Sequence, residues 1–291
     1  MTTLSDHDEH SRQFIFTDQD FQRVRELIYE HAGISLSEAK QSLVYSRLGR
    51  RLRALGLVRF DDYLTLLETD TGPEWQAFVN ALTTNLTAFF REQHHFPLLA
   101  EHVRQLESSR HPIKLWCCAS STGEEAYNMA MTMVDVFGSY TPPVRILATD
   151  LDTQVLKTAQ AGIYSMERVE KLPQPVLQRF FLKGVGSQVG SVQVRKELRD
   201  MIRFQQLNLL DPSWPIRGPF DAIFCRNVMI YFDKQTQRKL LQKFVPVMHR
   251  DALFFAGHSE NFHHSVDIFS ARGHTVYNIA DKSRHLSLPQ Q

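Results

Sequence analysis

The sequence contains no long hydrophobic run, since nowhere in its 291 residues do eighteen apolar residues follow one another. Its first residues, MTTLSDHDEHSRQ, are polar and lack the apolar core of a secretory signal. A chain without such segments is expected to stay out of the membrane. We therefore predict a cytoplasmic protein with a polar leader at residues 1–15 and a polar tail at residues 285–291.

Neither sign of charge dominates the chain. Lys and Arg together number 33, and Asp and Glu together number 32. This balance argues against nucleic acid or an anionic membrane as the partner, because both require a broad positive field. With 43% hydrophobic and 22% charged residues, the composition is that of a globular protein with one substantial domain and one smaller domain.

Cysteine is scarce, and the spacings that hold metals are missing. There are three cysteines, and Cys117 and Cys118 are adjacent, a spacing that strains a disulfide and favours reduced, buried thiols. The histidine pairs at 94–95 and 263–264 have no C-x-x-C or H-x-x-x-H spacing beside them, so we predict no metal site. The nucleophile motif G-x-S-x-G is also lacking, which argues against a serine hydrolase.

Residues 16–84 have helical periodicity and few strand-like runs. Gly33 and Gly56 are typical of helix ends, and Ser37 before Glu38 is typical of a helix start. We predict a small all-α domain over this range.

From Pro112 onward, short apolar runs alternate with amphipathic stretches. This order predicts an α/β domain at 95–284 with a doubly wound, mostly parallel, Rossmann-like sheet, preceded by a linker at 85–94. The stretch at about 168–206 breaks the alternation, because it has several glycines and period-two patterns such as SVQVRKEL and MIRFQQL. We predict a small antiparallel β insert there.

One segment predicts a cofactor site. KLWCCASSTGEEAYNMAM has the pattern of a strand, a turn of small residues and a helix that starts near Gly123. The next strand ends in Asp150, where doubly wound folds place a carboxylate against ribose hydroxyls. Such loops also occur without a ligand, and an NAD enzyme has the same pair of features. The residues alone therefore indicate an adenosine cofactor and nothing finer.

Five ordered motifs resemble those of the CheR chemotaxis methyltransferases, in particular the enterobacterial members. They are TTNLTAFFRE, ASSTGEEAY, ATDLDTQVL, FDAIFCRNVMIYFD and AGHSENF. The resemblance runs from about residue 21 to residue 279. It implies a class I fold that transfers the methyl group of S-adenosylmethionine to glutamate side chains of methyl-accepting chemotaxis receptors. The products would be glutamyl methyl esters and S-adenosylhomocysteine, and the role would be sensory adaptation at receptor arrays.

The resemblance also implies the cofactor contacts, which come from the linker and from strand ends. They are Asn85, Thr87, Arg91, Glu124, Asp150, Asn208, Leu209, Arg226 and Asn227. Glu124 is expected to hold the methionine amino group and Asp150 the ribose. The pair 208–209 is expected to lie beside the adenine, and the pair 226–227 to face the cofactor.

The resemblance also implies that Arg91 and Tyr231 are the candidate catalytic residues. The acceptor carboxylate is already ionised near neutral pH, with a reference pKa of about 4.3, so no general base is required. Arg91 could orient that carboxylate and Tyr231 could add one hydrogen bond. Since a very tight clamp would stabilise the ground state, we expect a partial one.

Two surfaces are candidate receptor contacts. The first is a basic helix with Arg47, Arg50, Arg51 and Arg53, of which the first three share one helical face. Such a stripe is also what an ordinary solvated helix face looks like. Within the family, however, this helix is expected to dock on an acidic receptor helix.

The second candidate contact is the insert. Gly184, Gly186, Gly190 and Arg195 match the family pattern for binding the C-terminal pentapeptide of a receptor by strand addition. Lys183 and Gln193 stand where arginine is expected, which leaves a purely structural hairpin as the alternative.

A second class of function stays open at this point, namely a binding module that keeps the fold without catalysis. The retained motif residues favour the enzyme. Ala126 replaces the proline that the family usually has after GEE, and we expect a mild effect on the first helical turn. A monomer is the expected state.

Overall fold

The computed structural model of the chain describes residues 13–69, 72–83, 85–106 and 112–286. The chain divides into two compact units, Met1–Thr84 and Asn85–Gln291. Most of the predicted leader, residues 1–12, and the end of the predicted tail, residues 287–291, lie outside the described residues. Within the described ranges, no helix has both the length and the apolar composition needed to cross a membrane.

The described residues of the first unit form four α-helices. They are α1 (Asp18–Ala32), α2 (Gln41–Leu55), α3 (Phe60–Thr69) and α4 (Pro73–Leu82), with a 3₁₀ turn at Glu38–Lys40 before α2. Thr17 and Asp20 form a reciprocal capping box at the start of α1. Gly33 and Gly56 end α1 and α2 in the left-handed conformation, as predicted.

Part of the predicted leader is folded onto this unit. Phe14 is buried, and the backbone of Ile15 bonds to Val58 and Phe60. The sequence pattern predicts a polar leader through residue 15, but its last residues include two apolar side chains, Phe14 and Ile15. The helical unit therefore begins at least two residues earlier than the sequence pattern indicates.

The second unit contains a seven-stranded sheet within the described residues, in the order β6-β2-β1-β7-β8-β10-β9. Its strands are β1 (Ile113–Cys117), β2 (Val144–Asp150), β6 (Ile202–Gln206), β7 (Phe220–Cys225), β8 (Met248–Ala256), β9 (Phe269–Gly273) and β10 (Val276–Ile279). β10 is antiparallel to both β8 and β9, and the other described pairings are parallel. The predicted doubly wound fold is confirmed.

The helices of this unit cover the sheet and join its strands. They are α5 (His95–Leu106), α6 (Glu124–Phe137), α7 (Thr153–Ala161), α8 (Met166–Val169), α9 (Gln174–Phe180), α10 (Lys196–Asp200) and α11 (Lys234–Phe244). Cys117, Cys118 and Cys225 are free and buried under them, as predicted. Burial raises the pKa of all three thiols, which keeps them protonated.

A separate three-stranded antiparallel sheet confirms the predicted insert but not its bounds. Its strands are β3 (Ile163–Ser165), β4 (Phe181–Lys183) and β5 (Ser191–Val194), in the order β3-β5-β4. The sheet thus begins before residue 168. Conversely β6, which was assigned to the insert, pairs in parallel with β2. As an edge strand β6 has one exposed face, which explains the period-two pattern that suggested an antiparallel surface strand.

The parallel strands β6, β2, β1 and β7 are neighbours, so their C-terminal ends lie side by side at one edge of the sheet. β1 lies between β2 and β7, so successive connections leave it in opposite directions. The backbone at Ser120 bonds to Thr149 at the end of β2, and Cys118 bonds to Phe224 near the end of β7. The N–H of Leu207, after β6, donates to the carbonyl of Asp150 at 3.0 Å. In open α/β sheets, ligands bind at the C-terminal ends of neighbouring strands whose connections run in opposite directions, as they do here at β1.

Candidate active site

The loop between β1 and α6 is tightly packed at Gly123. This residue has φ +100°, and a Cβ there would lie 2.9 Å from the Cβ of Ala159 and 3.1 Å from the hydroxyl of Tyr164. Only glycine adopts this φ readily and has no Cβ to collide with Ala159 and Tyr164. Tyr164 also donates its hydroxyl to the carbonyl of Thr122 at 2.6 Å, which fixes the loop from the side of the insert. The predicted helix start near Gly123 is confirmed by α6.

Asp150 lies at the end of β2 and faces the same loop. Its carboxylate accepts hydrogen bonds from the backbone N–H of Ser121 at 2.8 Å and of Asp152 at 2.9 Å. The residue is buried, and that burial raises the pKa of Asp150 to about 6 despite these hydrogen bonds. A carboxylate held in this orientation suits a pair of ribose hydroxyls.

The segment after Asn85 lies against this corner of the sheet. The Asn85 side chain donates to Asp152 at 2.8 Å, and its carbonyl accepts from the Ser121 hydroxyl at 3.2 Å. Thr87, two residues on, is partly exposed. The Ser120 hydroxyl is buried and has no hydrogen-bond partner among the described residues. An unsatisfied buried hydroxyl between the loop and Asp150 fits a site that takes a polar ligand.

Arg91 stands in a sharply turned stretch of backbone. Its neighbours Phe90 and Glu92 both have left-handed φ values, +54° and +52°. The Arg91 guanidinium donates to the carbonyl of Leu86 at 2.9 Å, and the residue remains partly exposed. It is therefore held near the Asn85 segment and can still reach a ligand.

Arg226 is the centre of a buried ion network. Its guanidinium, 1% exposed, contacts Glu125 at 2.8 Å and Glu92 at 3.3 Å. It also donates to the carbonyl of Arg91 at 2.6 Å. That Arg226 also faces the cofactor stays a prediction; the contacts described for its guanidinium are with protein groups. The guanidinium turns inward because β7, which precedes it, is buried along its whole length and leads directly to the two carboxylates.

Glu92 lies beside this network and reaches two further segments. Its carboxylate accepts from the backbone N–H of His258 at 3.1 Å and contacts the His258 ring at 2.9 Å. It also accepts from the side-chain amide of Asn227 at 3.2 Å. Although burial alone would raise the value, the hydrogen bonds from His258 and the charge of Arg226 lower the pKa of Glu92 to about 2.

Asn227 is held by a second buried carboxylate, Glu260. Four backbone N–H groups donate to Glu260, those of Asn227, Val228, Met229 and Gly257, at 2.5 to 3.0 Å. Asn227 has φ +59°, and a Cβ at Gly257 would collide with its side-chain amide. Glu260 thereby fixes the start of the 3₁₀ turn Met229–Tyr231. Tyr231 ends that turn, is partly exposed, and has no partner for its hydroxyl among the described residues.

The two glutamates of the TGEE motif have different surroundings. Glu124 is completely buried, accepts from the hydroxyl of Thr122 at 2.7 Å, and pairs with Arg168 of α8. Glu125 is 14% exposed and lies between Arg226 and the thiol of Cys117. Burial raises the pKa of Glu125, and the charge of Arg226 opposes that rise. Glu125 shares the network that holds Arg91, whereas Glu124 pairs with Arg168; the role of Glu124 toward the methionine amino group stays a prediction.

The segment after β6 places Asn208 and Leu209 near the end of β2. The side-chain oxygen of Asn208 accepts from the N–H of Leu210 at 3.0 Å, which closes a tight turn. Leu209 is buried, and its carbonyl accepts from Trp214 at 3.1 Å and from Lys243 at 2.9 Å. The backbone hydrogen bond from Leu207 to Asp150 brings this turn close to the end of β2, and its place beside the adenine stays a prediction.

The four arginines of α2 do not form one exposed face. Arg47 donates to carbonyls at the end of α4, including that of Thr83 at 2.8 Å, and Arg51 pairs with the largely buried Glu74 at 2.7 Å. Arg50 and Arg53 are exposed. Three of the predicted docking residues are thus engaged within their own unit. Arg47 and Arg51 meet α4, which packs along that side of α2, and Arg53 donates to the side chain of Gln13 at 2.8 Å.

The insert glycines all have local structural reasons. A Cβ at Gly184 would collide with the carbonyl of Gln188, and Gly186 and Gly190 have φ +59° and +90°. Arg195 is half-buried, and its guanidinium reaches the carbonyl of Gln178 at 3.4 Å. β4 and β3 are the two edges of this small sheet. The glycine pattern therefore explains the hairpin without reference to a bound peptide.

Sequence reasoning missed Glu92, Glu125, Glu260 and Arg168 as parts of the site. Glu92, Glu125 and Glu260 lie inside three of the five motifs, whereas Arg168 lies outside all of them, and the importance of all four comes from contacts with distant segments. The only signal in the sequence was the presence of charged residues inside otherwise apolar or small-residue motifs. Burial of such charges requires partners, and the sequence alone does not identify them.

Both units of the chain match models of one known protein family. Residues 19–83 match the domain described as CheR methyltransferase, all-alpha domain, and residues 85–278 match CheR methyltransferase, SAM binding domain. The chain is 53% identical over 270 residues to chemotaxis protein methyltransferase 2 of Pseudomonas aeruginosa, covering 93% of this chain and 96% of that protein.

The chain is also 50% identical over 271 residues to the chemotaxis protein methyltransferases of Salmonella typhimurium and Escherichia coli. These alignments cover 93% of this chain, and 93% and 94% of the two relatives. The resemblance inferred from the five motifs is confirmed. The chain belongs to the CheR methyltransferase family and is an S-adenosylmethionine-dependent methyltransferase.

Proposed function

We propose that this methyltransferase esterifies glutamate side chains of methyl-accepting chemotaxis receptors, as part of sensory adaptation. The observation that carries the proposal is the match, over nearly the whole chain, to relatives that are named chemotaxis protein methyltransferases. The protein would work in the cytoplasm, at receptor arrays.

The residues at the strand ends fit the cofactor. Asp150 can accept from ribose hydroxyls, the unsatisfied Ser120 hydroxyl offers one further polar contact, and Asn85 with Thr87 lines the same corner. The turn at 208–209 would lie on the adenine side. When bound, S-adenosylmethionine supplies a methyl group on positively charged sulfur, which a carboxylate oxygen attacks in line while the sulfur keeps the bonding electrons.

The chain's own residues would position the acceptor. A glutamate carboxylate is already ionised at neutral pH, so neither Arg91 nor Tyr231 has to remove a proton. Arg91 is partly exposed and can place the carboxylate, and the free hydroxyl of Tyr231 can donate one hydrogen bond. Because opposite charges cancel as the methyl moves, two donors of this kind align the carboxylate without enclosing it.

Two exposed surfaces would hold the receptor. On α2, the exposed Arg50 is available to an acidic receptor helix, whereas Arg47 and Arg51 support the domain. Arg53 is exposed as well, but its guanidinium already donates to Gln13 at 2.8 Å. On the insert, the outer edge of β4 and the exposed side chains of Val185 and Val189 offer a strand-addition site for a receptor C-terminus. The enzyme would act as a monomer.

Transfer of tritium from labelled S-adenosylmethionine to receptor-containing membranes tests the function. We expect base-labile label that is released as methanol, because carboxyl methyl esters hydrolyse in base. Arg91→Ala should lose transfer by a larger factor than it weakens cofactor binding, and Arg145→Ala, an exposed arginine on β2, serves as the matched control. Cofactor binding by the wild type without transfer to any receptor would contradict the proposal and favour a binding module.

A further inference from the structure

We propose that Glu92 is a positioning residue for methyl transfer, whose buried carboxylate holds Arg91 and Asn227 in place by joining three separate segments of the chain. Glu92 would not touch the substrate itself. Its effect on turnover would pass through Arg91, so the inference rests on the proposed function.

The backbone around Arg91 needs external support. Phe90 and Glu92 have φ +54° and +52°, a region that non-glycine side chains enter at a cost. Such conformations persist only where the surroundings over-determine them, and they concentrate at functional sites. Arg91 lies between the two, so its direction depends on whatever holds this turn.

The Glu92 carboxylate supplies that support through contacts from two other strand ends. After β7, Arg226 approaches at 3.3 Å and the amide of Asn227 at 3.2 Å. After β8, His258 contributes its backbone N–H at 3.1 Å and its ring at 2.9 Å. The linker, β7 and β8 thus converge on one side chain that is only 9% exposed.

A second contact closes the arrangement around Arg91. Arg226, which pairs with Glu92, also donates to the carbonyl of Arg91 at 2.6 Å. The turn is therefore held through the side chain of residue 92 and the backbone of residue 91. Glu92 stays ionised at neutral pH, so the hydrogen bonds it accepts are charge-assisted.

Replacement by glutamine gives the most direct test. A glutamine in this position turns one acceptor oxygen into a donor that faces Arg226 or Asn227, both already donors. We expect kcat on receptor membranes to fall about 10- to 100-fold in Glu92→Gln, since small misplacements of reacting groups cost that much. The cofactor Kd should change by less than about threefold. Glu92→Asp, which keeps the charge on a shorter arm, should recover part of kcat.

Asp221→Asn is the matched control for a purely structural effect. Asp221 is also a buried carboxylate of this unit, accepts from the N–H of Lys114 at 2.8 Å, and lies at the other end of β7. We expect this control to lower Tm without changing kcat. The proposal is overturned if Glu92→Gln retains kcat within about twofold, or loses only what its folded fraction explains. An equal rise in cofactor Kd would overturn it as well.

A spectroscopic measurement separates this inference from the proposed function. The side-chain ¹⁵Nε resonance of Arg91, assigned from its loss in Arg91→Lys, should shift or broaden in Glu92→Gln and stay fixed in Asp221→Asn. An unchanged resonance in Glu92→Gln overturns the inference. A wild-type enzyme that methylates no receptor overturns the proposed function instead, and the resonance still reports on Glu92.

Discussion

The guanidinium of Arg226 donates to the backbone carbonyl of Arg91 at 2.6 Å, although 135 positions separate the two residues. This bond ties the segment that carries the candidate catalytic arginine to the end of a central strand. Because Arg226 also pairs with Glu92 and Glu125, its charge is the one that balances two buried carboxylates.

Removing that charge should destabilise the protein strongly. We expect Arg226→Met to lower the free energy of unfolding by about 3–5 kcal/mol, because Glu92 and Glu125 would remain buried without their partner. The double variant Arg226→Met with Glu125→Gln should recover part of the lost free energy of unfolding. Urea denaturation measures both effects, with Arg238→Met as the control, since its pair with Asp267 is exposed to solvent and should contribute little to stability. Equal losses at residues 226 and 238 would contradict the buried-network interpretation.

The two glutamates of the TGEE motif should differ in cofactor binding. Glu125 is the more exposed and lies near Arg91, so we expect Glu125→Gln to weaken S-adenosylmethionine binding more than Glu124→Gln. Calorimetric titration with S-methylthioadenosine, which lacks the amino-acid end, provides the control. Its affinity should be equal in the wild type and Glu125→Gln if the carboxylate recognises the ammonium group. A larger effect of Glu124→Gln would restore the assignment made from the sequence.

Cofactor affinity should depend on pH through Asp150. Its pKa is raised to about 6, so a growing fraction is protonated below that pH and loses acceptor capacity toward the ribose. We expect the cofactor Kd to rise as pH falls through about 6, by up to about tenfold per unit. Calorimetry between pH 5 and 8 measures this, and Asp150→Asn should bind weakly with a flatter profile.

Through Asp150, folding stability should change with pH in the direction opposite to cofactor affinity. Since the folded pKa of Asp150 lies above its unfolded value, its favourable contribution is present at low pH and is lost as pH rises through about 6. An affinity that simply followed global stability would change in the same direction as stability, and this would refute the role of Asp150.

Substitutions of the arginines of α2 should fall into two classes, those that lower stability and those that raise KM for receptor membranes. Arg51→Ala should lower the free energy of unfolding by about 1–3 kcal/mol, because Glu74 and the buried Tyr63 hydroxyl share that pair. Arg50→Ala and Arg53→Ala should leave stability within about 0.5 kcal/mol. Their KM for receptor membranes should instead rise, and the increase should shrink at high salt. An unchanged KM in both would argue against docking by this helix.

The sequence predicted features that depend on local pattern. Gly33 and Gly56 mark helix ends because their backbone must adopt a positive φ, and Asp150 is found at a strand end because the strand pattern stops there. β6 was misassigned because an edge strand alternates whether its neighbour is parallel or antiparallel. Only the pairing partner distinguishes these cases, and that partner is distant in sequence.

The roles of charged residues were harder to predict, because their partners are also distant in sequence. Arg226 follows an apolar strand in a motif that suggests a ligand contact, yet its partners are Glu92 and Glu125. Arg47 and Arg51 share a helical face, but α4 covers that face. Helical periodicity shows which side chains point together and does not show what they meet.

The contacts of Tyr164 and Arg168 with the loop at Thr122 set a limit on how the insert can be exchanged between relatives. Both residues belong to the insert side of the chain, yet they support the loop in front of α6. A chimaera designed to change receptor preference should therefore begin its graft after Arg168 and end it before Arg195. A graft that begins earlier would also replace Tyr164 or Arg168, and with them the contacts that hold the loop at Thr122.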